Sequence, residues 1–398
     1  MRLVLGLLVC FSSIALQASD WPRFRGPDAD GISKEKGINK DWKAKPPAEL
    51  WRITLGDKGY AGPSVAAGKM FIIDHEGEND VIRAVDVKTG KDVWTFKYVD
   101  TAKDNYGFAR ATPTYDAGKI YTLSRMGLLH CLDAEKGSKL WSHDLKADFG
   151  GKTGAWDYAA SPLVDGNKLI VCVGGNNASV VALDKTTGKE IWRGGGSDQA
   201  GYSTPVLATI ENKKQYLVFT GLAITGVDAE SGALLWRFPW KTQYDVNASA
   251  PVQIGGNFVF ISANYGHGCA LVAIGGGGAK AVWENKEVQQ HFNSAILVGE
   301  HLYTTSDPGA LVCLNPRDGK PVWRQPGFEK GGLIGIDGTM IVVDGKAGDV
   351  VMVNITTKAY EELGRIKPLG GQSWTAPIVA DGKLYVRNKQ YLVCLDLK

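Results

Sequence analysis

Charge of one sign is the first thing this sequence lacks: 45 Lys and Arg stand against 42 Asp and Glu, spread along 398 residues for a formal net charge of +3. No basic stripe is present to neutralise a phosphate backbone, so nucleic acid is not an expected partner. Long hydrophobic runs are also missing. The apolar stretch from Leu3 to Leu16 is too short to cross a bilayer. Placed between Met1-Arg2 and Gln17-Ala18-Ser19-Asp20, it has the charged start, short apolar core and small-residue exit of a secretory signal, with cleavage expected near Ala18. Val9 is too large for the position before Cys10 in a lipid-attachment site, so lipidation is not expected. These features predict an exported, periplasmic or envelope protein that does not span the membrane and is monomeric.

Reactive side chains are equally sparse. Beyond Cys10 there are five cysteines, Cys131, Cys172, Cys269, Cys313 and Cys394, an odd number that excludes a fully paired framework. No two are adjacent. Cys131, Cys313 and Cys394 precede Leu-Asp or Leu-Asn pairs and read as small buried strand residues. The six histidines, His75, His130, His143, His267, His291 and His301, form no close pairs, whereas zinc requires three or four such donors. Asp28-Ala29-Asp30-Gly31 is a fragment of a calcium loop without its remaining ligands and reads as a turn. Gly275 to Gly278 opens no helix, so it is a hairpin and not a phosphate cradle. No Gly-x-Ser-x-Gly elbow occurs. No catalytic residue, metal site or resident cofactor is therefore expected from local motifs.

Repetition is what the sequence does have. Asp86 to Trp94, Asp133 to Trp141, Asp184 to Trp192 and Asp228 to Trp236 keep one spacing of eight, and Gly275 to Trp283 and Asn315 to Trp323 keep it with the Asp changed. With Trp51, the repeat uses seven of the 12 tryptophans. A second signature, a strand opening near Pro, recurs at 63, 113, 162, 205, 251 and 377, with Ile296 and Ile334 in the two remaining copies. The starts lie 38 to 50 residues apart, which gives eight copies. Within each copy the order is strand, turn, strand, polar loop, strand, Thr-Gly turn and Trp strand, the four antiparallel strands of a propeller blade. Asp bonds the backbone N-H groups of the turn, Gly supplies its positive φ, and Trp is expected to cover the gap to the next blade.

The ends complete the count. The last copy stops at Asp396 without a Trp strand, while Trp51 lacks the three strands that should precede it. Joined, they form one blade. The expected organisation is a signal peptide at 1–18, an extended leader at 19–47 lying across the surface on Trp21, Phe24 and Trp42, and an all-β, eight-bladed propeller at 48–398. In the seventh copy Glu362 falls where Trp is expected, so that seam is expected to be looser.

A binding face would collect the loops between blades and those between second and third strands. Just before the Pro positions stand Tyr60, Arg110, Trp156, Asp157, Tyr158, Tyr202, Tyr244, Asp245, Asn247, His291, Asn293 and Trp374, the candidate ligand- or partner-binding residues of the channel mouth. The second loop set adds His75, Arg125, Asn176, Asn177, Tyr265, His267, Asp307, Lys346 and Arg387. Arg110 stands out, alone among small neighbours at its repeat position.

The Leu-Asp-x-x-Thr-Gly-x-x-x-Trp unit with N-to-C closure resembles the PQQ-type, quinoprotein-like β-propeller repeat family over about 48 to 398. The leader Trp21-Pro22-Arg23-Phe24-Arg25-Gly26-Pro27, with Tyr60-Ala61-Gly62-Pro63 after it, is similar to secreted propellers of planctomycete-like bacteria. The resemblance implies one of two roles. In the BamB-type branch, a non-catalytic propeller scaffolds proteins of the cell envelope, so a protein or peptide partner is expected here. In the quinoprotein branch, pyrroloquinoline quinone (PQQ) and Ca²⁺ sit over the funnel of an alcohol or sugar dehydrogenase. The expectation is the scaffold, with the small quinone-dependent dehydrogenase or quinone-binding protein as alternative.

Overall fold

The structure, a computed structural model, describes residues 20–398; the expected signal segment and Cys10 lie outside the described residues. Eight antiparallel sheets follow one another along the chain. Their innermost strands are Ser64–Ala66, Thr114–Asp116, Leu163–Asp165, Val206–Ile210, Val252–Gln253, Ile296–Val298, Leu333–Ile336 and Ile378–Ala380, one for each start read from the sequence. We number the blades 1 to 8 in that order. Blade 3 shows the pattern: Leu163–Asp165, Lys168–Gly175, Ala178–Asp184 and Glu190–Gly194, each paired with the next.

The Asp and Thr-Gly turn works as its chemistry requires. Asp184 Oδ1 accepts the N-H groups of Thr186 (3.0 Å) and Thr187 (2.8 Å) and the Thr187 hydroxyl (2.9 Å), and Asp86 and Asp228 repeat the set. These bonds hold the Asp86, Asp184 and Asp228 carboxyls below the ordinary carboxylate range. Gly188 takes φ 75°, open to glycine and strained for other residues. A second demand falls on the same residue, because a Cβ at Gly188 would stand 2.8 Å from the Trp141 ring of the preceding blade. Gly90 under Trp51, Gly137 under Trp94, Gly232 under Trp192 and Gly319 under Trp283 repeat this contact. Trp51, Trp94 and Trp141 also donate Nε1-H to carbonyls of the next blade at 3.0 to 3.3 Å. Trp therefore seals each blade junction, and Gly is the floor it rests on.

The residue before each Trp lies in a β-bulge on the outer strand, and Leu50, Val93, Leu140, Ile191, Val282 and Val322 are exposed there. A bulge on an edge strand interrupts its ladder and blunts edge-to-edge pairing.

Closure follows the sequence reading. Glu49–Thr54 pairs antiparallel with Tyr391–Asp396, with Trp51 opposite Cys394, to complete blade 8. Arg387 fastens this seam, donating to Asp57 Oδ1 at 2.8 Å and to the carbonyls of Gly59 (2.8 Å) and Ala61 (3.0 Å), fully buried with its partner.

Two register readings are corrected. In blade 7 the residue opposite Met352, the Trp position elsewhere, is Gly364, since the turn is longer there. Trp42 of the leader fills the space: it is buried, and a Cβ at Gly364 would stand 2.4 Å from its own Cβ. The seam expected to be loose is thus packed by a tryptophan from outside the repeat. In blade 5, Trp283 pairs with Leu271 and the hairpin closes at Gly275 and Gly278, so Ala273, not Gly275, is the register equivalent of the turn Asp.

The leader does more than cross the surface. Trp21 exchanges both backbone bonds with Val65 at 2.8 Å, Tyr115 N-H donates to Pro22 O at 2.7 Å, and Arg23 Nη1 donates to Val164 O at 3.2 Å. Ile32–Ser33 then pairs parallel with Gly335 and Ile336 of blade 7. The leader thus satisfies inner-strand edges that face the central channel, as buried backbone groups require. It closes one end.

Candidate functional site

Above the leader the channel is a cavity of about 300 Å³, walled by pre-Pro loops and floored by Trp21, Phe24, Arg25 and Gly31. Of the residues expected at the mouth, Tyr60, Arg110, Trp156, Tyr202, His291, Asn293 and Trp374 line it together. Tyr60 stacks on Trp374 at 4.9 Å between ring centroids and donates its hydroxyl to Gln372 Oε1 at 3.0 Å, so residues next to the closure seam build one wall. Tyr202 Oη accepts the Trp156 N-H at 3.2 Å and fixes the adjacent wall.

Others are turned away. Tyr158 is buried and donates its hydroxyl to Val173 O at 2.9 Å, packing a blade entrance. Asn247 is fully buried and donates to Thr220 O (2.8 Å) and Trp240 O (3.0 Å). Asp157 is held by Arg125 Nε at 2.9 Å and Asp245 by Gln199 Nε2 at 2.7 Å. Tyr244 lies outside the cavity, exposed and edge-on to Tyr265 at 5.6 Å. Their spacing from Pro was right, but loop paths decide which side chains face the axis.

The second loop set divides likewise. Tyr265 lines the cavity. Asp307 faces Lys330 at 3.9 Å, and Lys346 pairs with Glu329 at 3.2 Å. Arg125 ties down the Lys103 and Gly107 carbonyls at 2.8 Å, Arg387 clamps the seam, and His75 is buried on Asp80 at 2.9 Å. His267 packs edge-on against Trp240 at 4.3 Å, and Asn176 accepts from Ser197 at 3.1 Å. Asn177 stands at a turn tip with φ 48°.

The wall residues outside both sets include Tyr106, Phe292 and Lys330. Tyr106 bridges the walls, 5.5 Å edge-on to Trp156 and 6.2 Å stacked over Trp374. Phe292 is 5.1 Å from Trp374, and Lys330 Nζ lies 5.4 Å over the same ring. Counting back from Pro reaches Arg110 but stops short of Tyr106. The flagged neighbours His291 and Asn293 were the available signal for Phe292.

The electrostatics are one-sided. Arg25, Arg110 and Lys330 line the cavity, and among the described residues no carboxylate does. Arg110 lies over Trp156 at 6.0 Å, and its Nη2 donates to Asn105 O at 2.8 Å while its buried Nη1 makes no hydrogen bond. Burial, then the neighbouring Arg125 charge, pull its guanidinium down to about 10. His291 Nδ1 accepts from Asn264 Nδ2 at 3.2 Å, and burial, then Lys330, push the ring down to about 3. The imidazole is therefore neutral, with its proton on Nε2.

The aromatic walls suit a flat ring, yet the donor set does not fit the quinone and Ca²⁺ pair. Ca²⁺ takes six to eight oxygen ligands, commonly including carboxylates, and this wall offers none. Among the described residues no group of three or more His, Cys, Asp or Glu could hold a metal.

Known proteins similar to this chain include BamB proteins and quinoprotein alcohol dehydrogenases. The family described as outer membrane protein assembly factor BamB matches residues 77–325. BamB of Shewanella oneidensis is 24% identical over 248 residues, 58% of this chain and 60% of that protein. Quinohemoprotein alcohol dehydrogenase ADH IIB of Pseudomonas putida is 27% identical over 267 residues, 61% of this chain but only 36% of the dehydrogenase, so the match spans little more than a third of that enzyme. The crystal structure of BamB from Moraxella catarrhalis superposes with a TM-score of 0.65 at 18% identity, covering 88% of this chain and 99% of that one. With eight closed blades and a family match over residues 77–325 of 398, the chain belongs to the family of outer membrane protein assembly factor BamB.

Proposed function

We propose that the protein is an exported, non-catalytic propeller of the cell envelope that binds a protein or peptide partner on the open face of the channel. One observation carries this reading. Tyr106, Tyr244 and Tyr265 are 55%, 57% and 39% exposed at the open end, with φ of 57°, 61° and 58°. A bulky residue in left-handed backbone is costly and gathers where function requires it. Exposed tyrosines are also the residue type that anchors protein interfaces. Membership of the BamB family supports the same reading.

The test substitutes Asn, which tolerates the left-handed region, so that the aromatic groups go and the loops stay. Wild-type protein should capture a defined partner from envelope extract by cross-linking, and the Tyr106→Asn, Tyr244→Asn, Tyr265→Asn variant should lose it. Capture of the same proteins by both would refute the rim as the interface. Saturable quinone binding with dye-linked alcohol oxidation in the presence of Ca²⁺ would replace the scaffold reading altogether.

A further inference from the structure

Beneath the tyrosine rim the cavity presents a surplus of hydrogen-bond donors. Ser161 Oγ accepts the Thr112 N-H at 2.9 Å, Thr204 Oγ1 accepts the Ser161 N-H at 2.9 Å, and Ser294 Oγ accepts the Ala250 N-H at 2.8 Å. Each hydroxyl latches one blade to the next, and each keeps its own O-H to donate. All three line the cavity, as do Arg110, whose guanidinium makes a single hydrogen bond through its exposed Nη2, and His291 with its proton on Nε2. No carboxylate offers a matching acceptor. A buried donor left unpaired costs about 1–3 kcal/mol, so this wall favours an occupant rich in acceptor oxygens.

We propose that the cavity binds a sugar acid, a polyhydroxylated ring bearing one carboxylate, with Arg110 taking the carboxylate and the Ser and Thr hydroxyls and His291 meeting the ring oxygens. Trp156 and Trp374 line the cavity and supply apolar surface for the C-H groups of the ring. A neutral sugar leaves the Arg110 guanidinium unpaired. A flat aromatic acid satisfies Arg110 but covers the hydroxyls with carbon. The volume of about 300 Å³ suits a single ring or a short oligomer end, not an extended chain. This inference goes beyond the partner reading and stands independently, because it concerns the wall below the rim and needs no protein partner.

The test is calorimetric titration of the purified protein with D-glucuronate, D-glucose and 4-hydroxybenzoate at pH 7. D-Glucuronate is expected to bind saturably and at least tenfold more tightly than either of the others. Arg110→Gln should weaken it at least tenfold, while Arg110→Lys, which keeps a charge without the planar fork, should fall between. Equal thermal midpoints for the variants would place the loss in binding and not in folding. Glucose binding as tightly as glucuronate, preference for the aromatic acid, unchanged affinity in Arg110→Gln, or no saturable heat with glucuronate would each overturn the proposal. Partner capture by the rim is scored separately, so either reading can fail without the other.

Discussion

Two arginines face the same cavity and differ in nearly everything else. Arg25, on the floor, donates Nε to Ala29 O at 3.1 Å and Nη2 to Asp30 O and Ala295 O at 2.7 and 2.8 Å, so the leader is pinned across to the blade 6 entrance. Arg110, in the wall, makes one such bond and leaves Nη1 buried without a partner. A cation tied by several backbone carbonyls holds a fold together. One with a single such bond is held loosely and contributes less to the fold. The floor of this propeller is architecture, and the wall carries the proposed binding site.

The largest test of that division removes a saturated partner. Asp57→Ala leaves Arg387 buried without its carboxylate at the blade 8 seam, and should cost about 3–5 kcal/mol in urea unfolding, since breaking a buried ion pair strands a charge. A loss below about 1 kcal/mol would show that the seam does not depend on the clamp.

Acid should act on both regions. His291 belongs to the open wall and His130 to the closed blade 1 and 2 core beside Tyr98 at 4.3 Å. Burial first, then Lys330 and Lys139 respectively, lower them to about 3 and about 4. With folded values below the unfolded 6.5, each contributes stability that is complete above pH 6.5 and is lost as pH falls toward the folded value. Between pH 6.5 and 5 stability should decline by up to about 1.4 kcal/mol per pH unit for each ring. The double substitution His130→Gln, His291→Gln should flatten most of that slope, and an unchanged slope would mean that neither ring is buried neutral.

The smallest effect is expected at Arg110. Arg110→Gln should leave unfolding free energy within about 0.5 kcal/mol of wild type, because few native bonds are lost. A raised midpoint would sharpen the comparison further, as the exchange of stability for a poised site. A loss of about 2 kcal/mol or more would erase it, by making Arg110 as structural as Arg25.

Much of this was legible in the chain because the repeat is local. The turn that Asp184 and Gly188 build spans five residues, and its hydrogen bonds lie within it. Trp51 and Asp396 could be matched as halves of one blade for the same reason. Trp42 could not be placed, since its partner Gly364 is distant in sequence and the repeat was misaligned there by the longer turn. At the mouth, distance from Pro identified the loops but not their facing, so Tyr158 and Asn247 looked like neighbours of Trp156 and Tyr202 and proved to be buried packing and a backbone anchor.

Sequence alone therefore determined the number of blades, their strand order and the closure, because period, turn chemistry and apolar alternation act over a few residues. Tertiary structure alone decided that the leader floors the channel, that Trp42 replaces a missing repeat tryptophan, and that Arg110 is the wall arginine held by a single hydrogen bond. Those outcomes rest on contacts between segments far apart in the chain, and on loop dihedrals such as the φ of 57° at Tyr106 that no local rule favours.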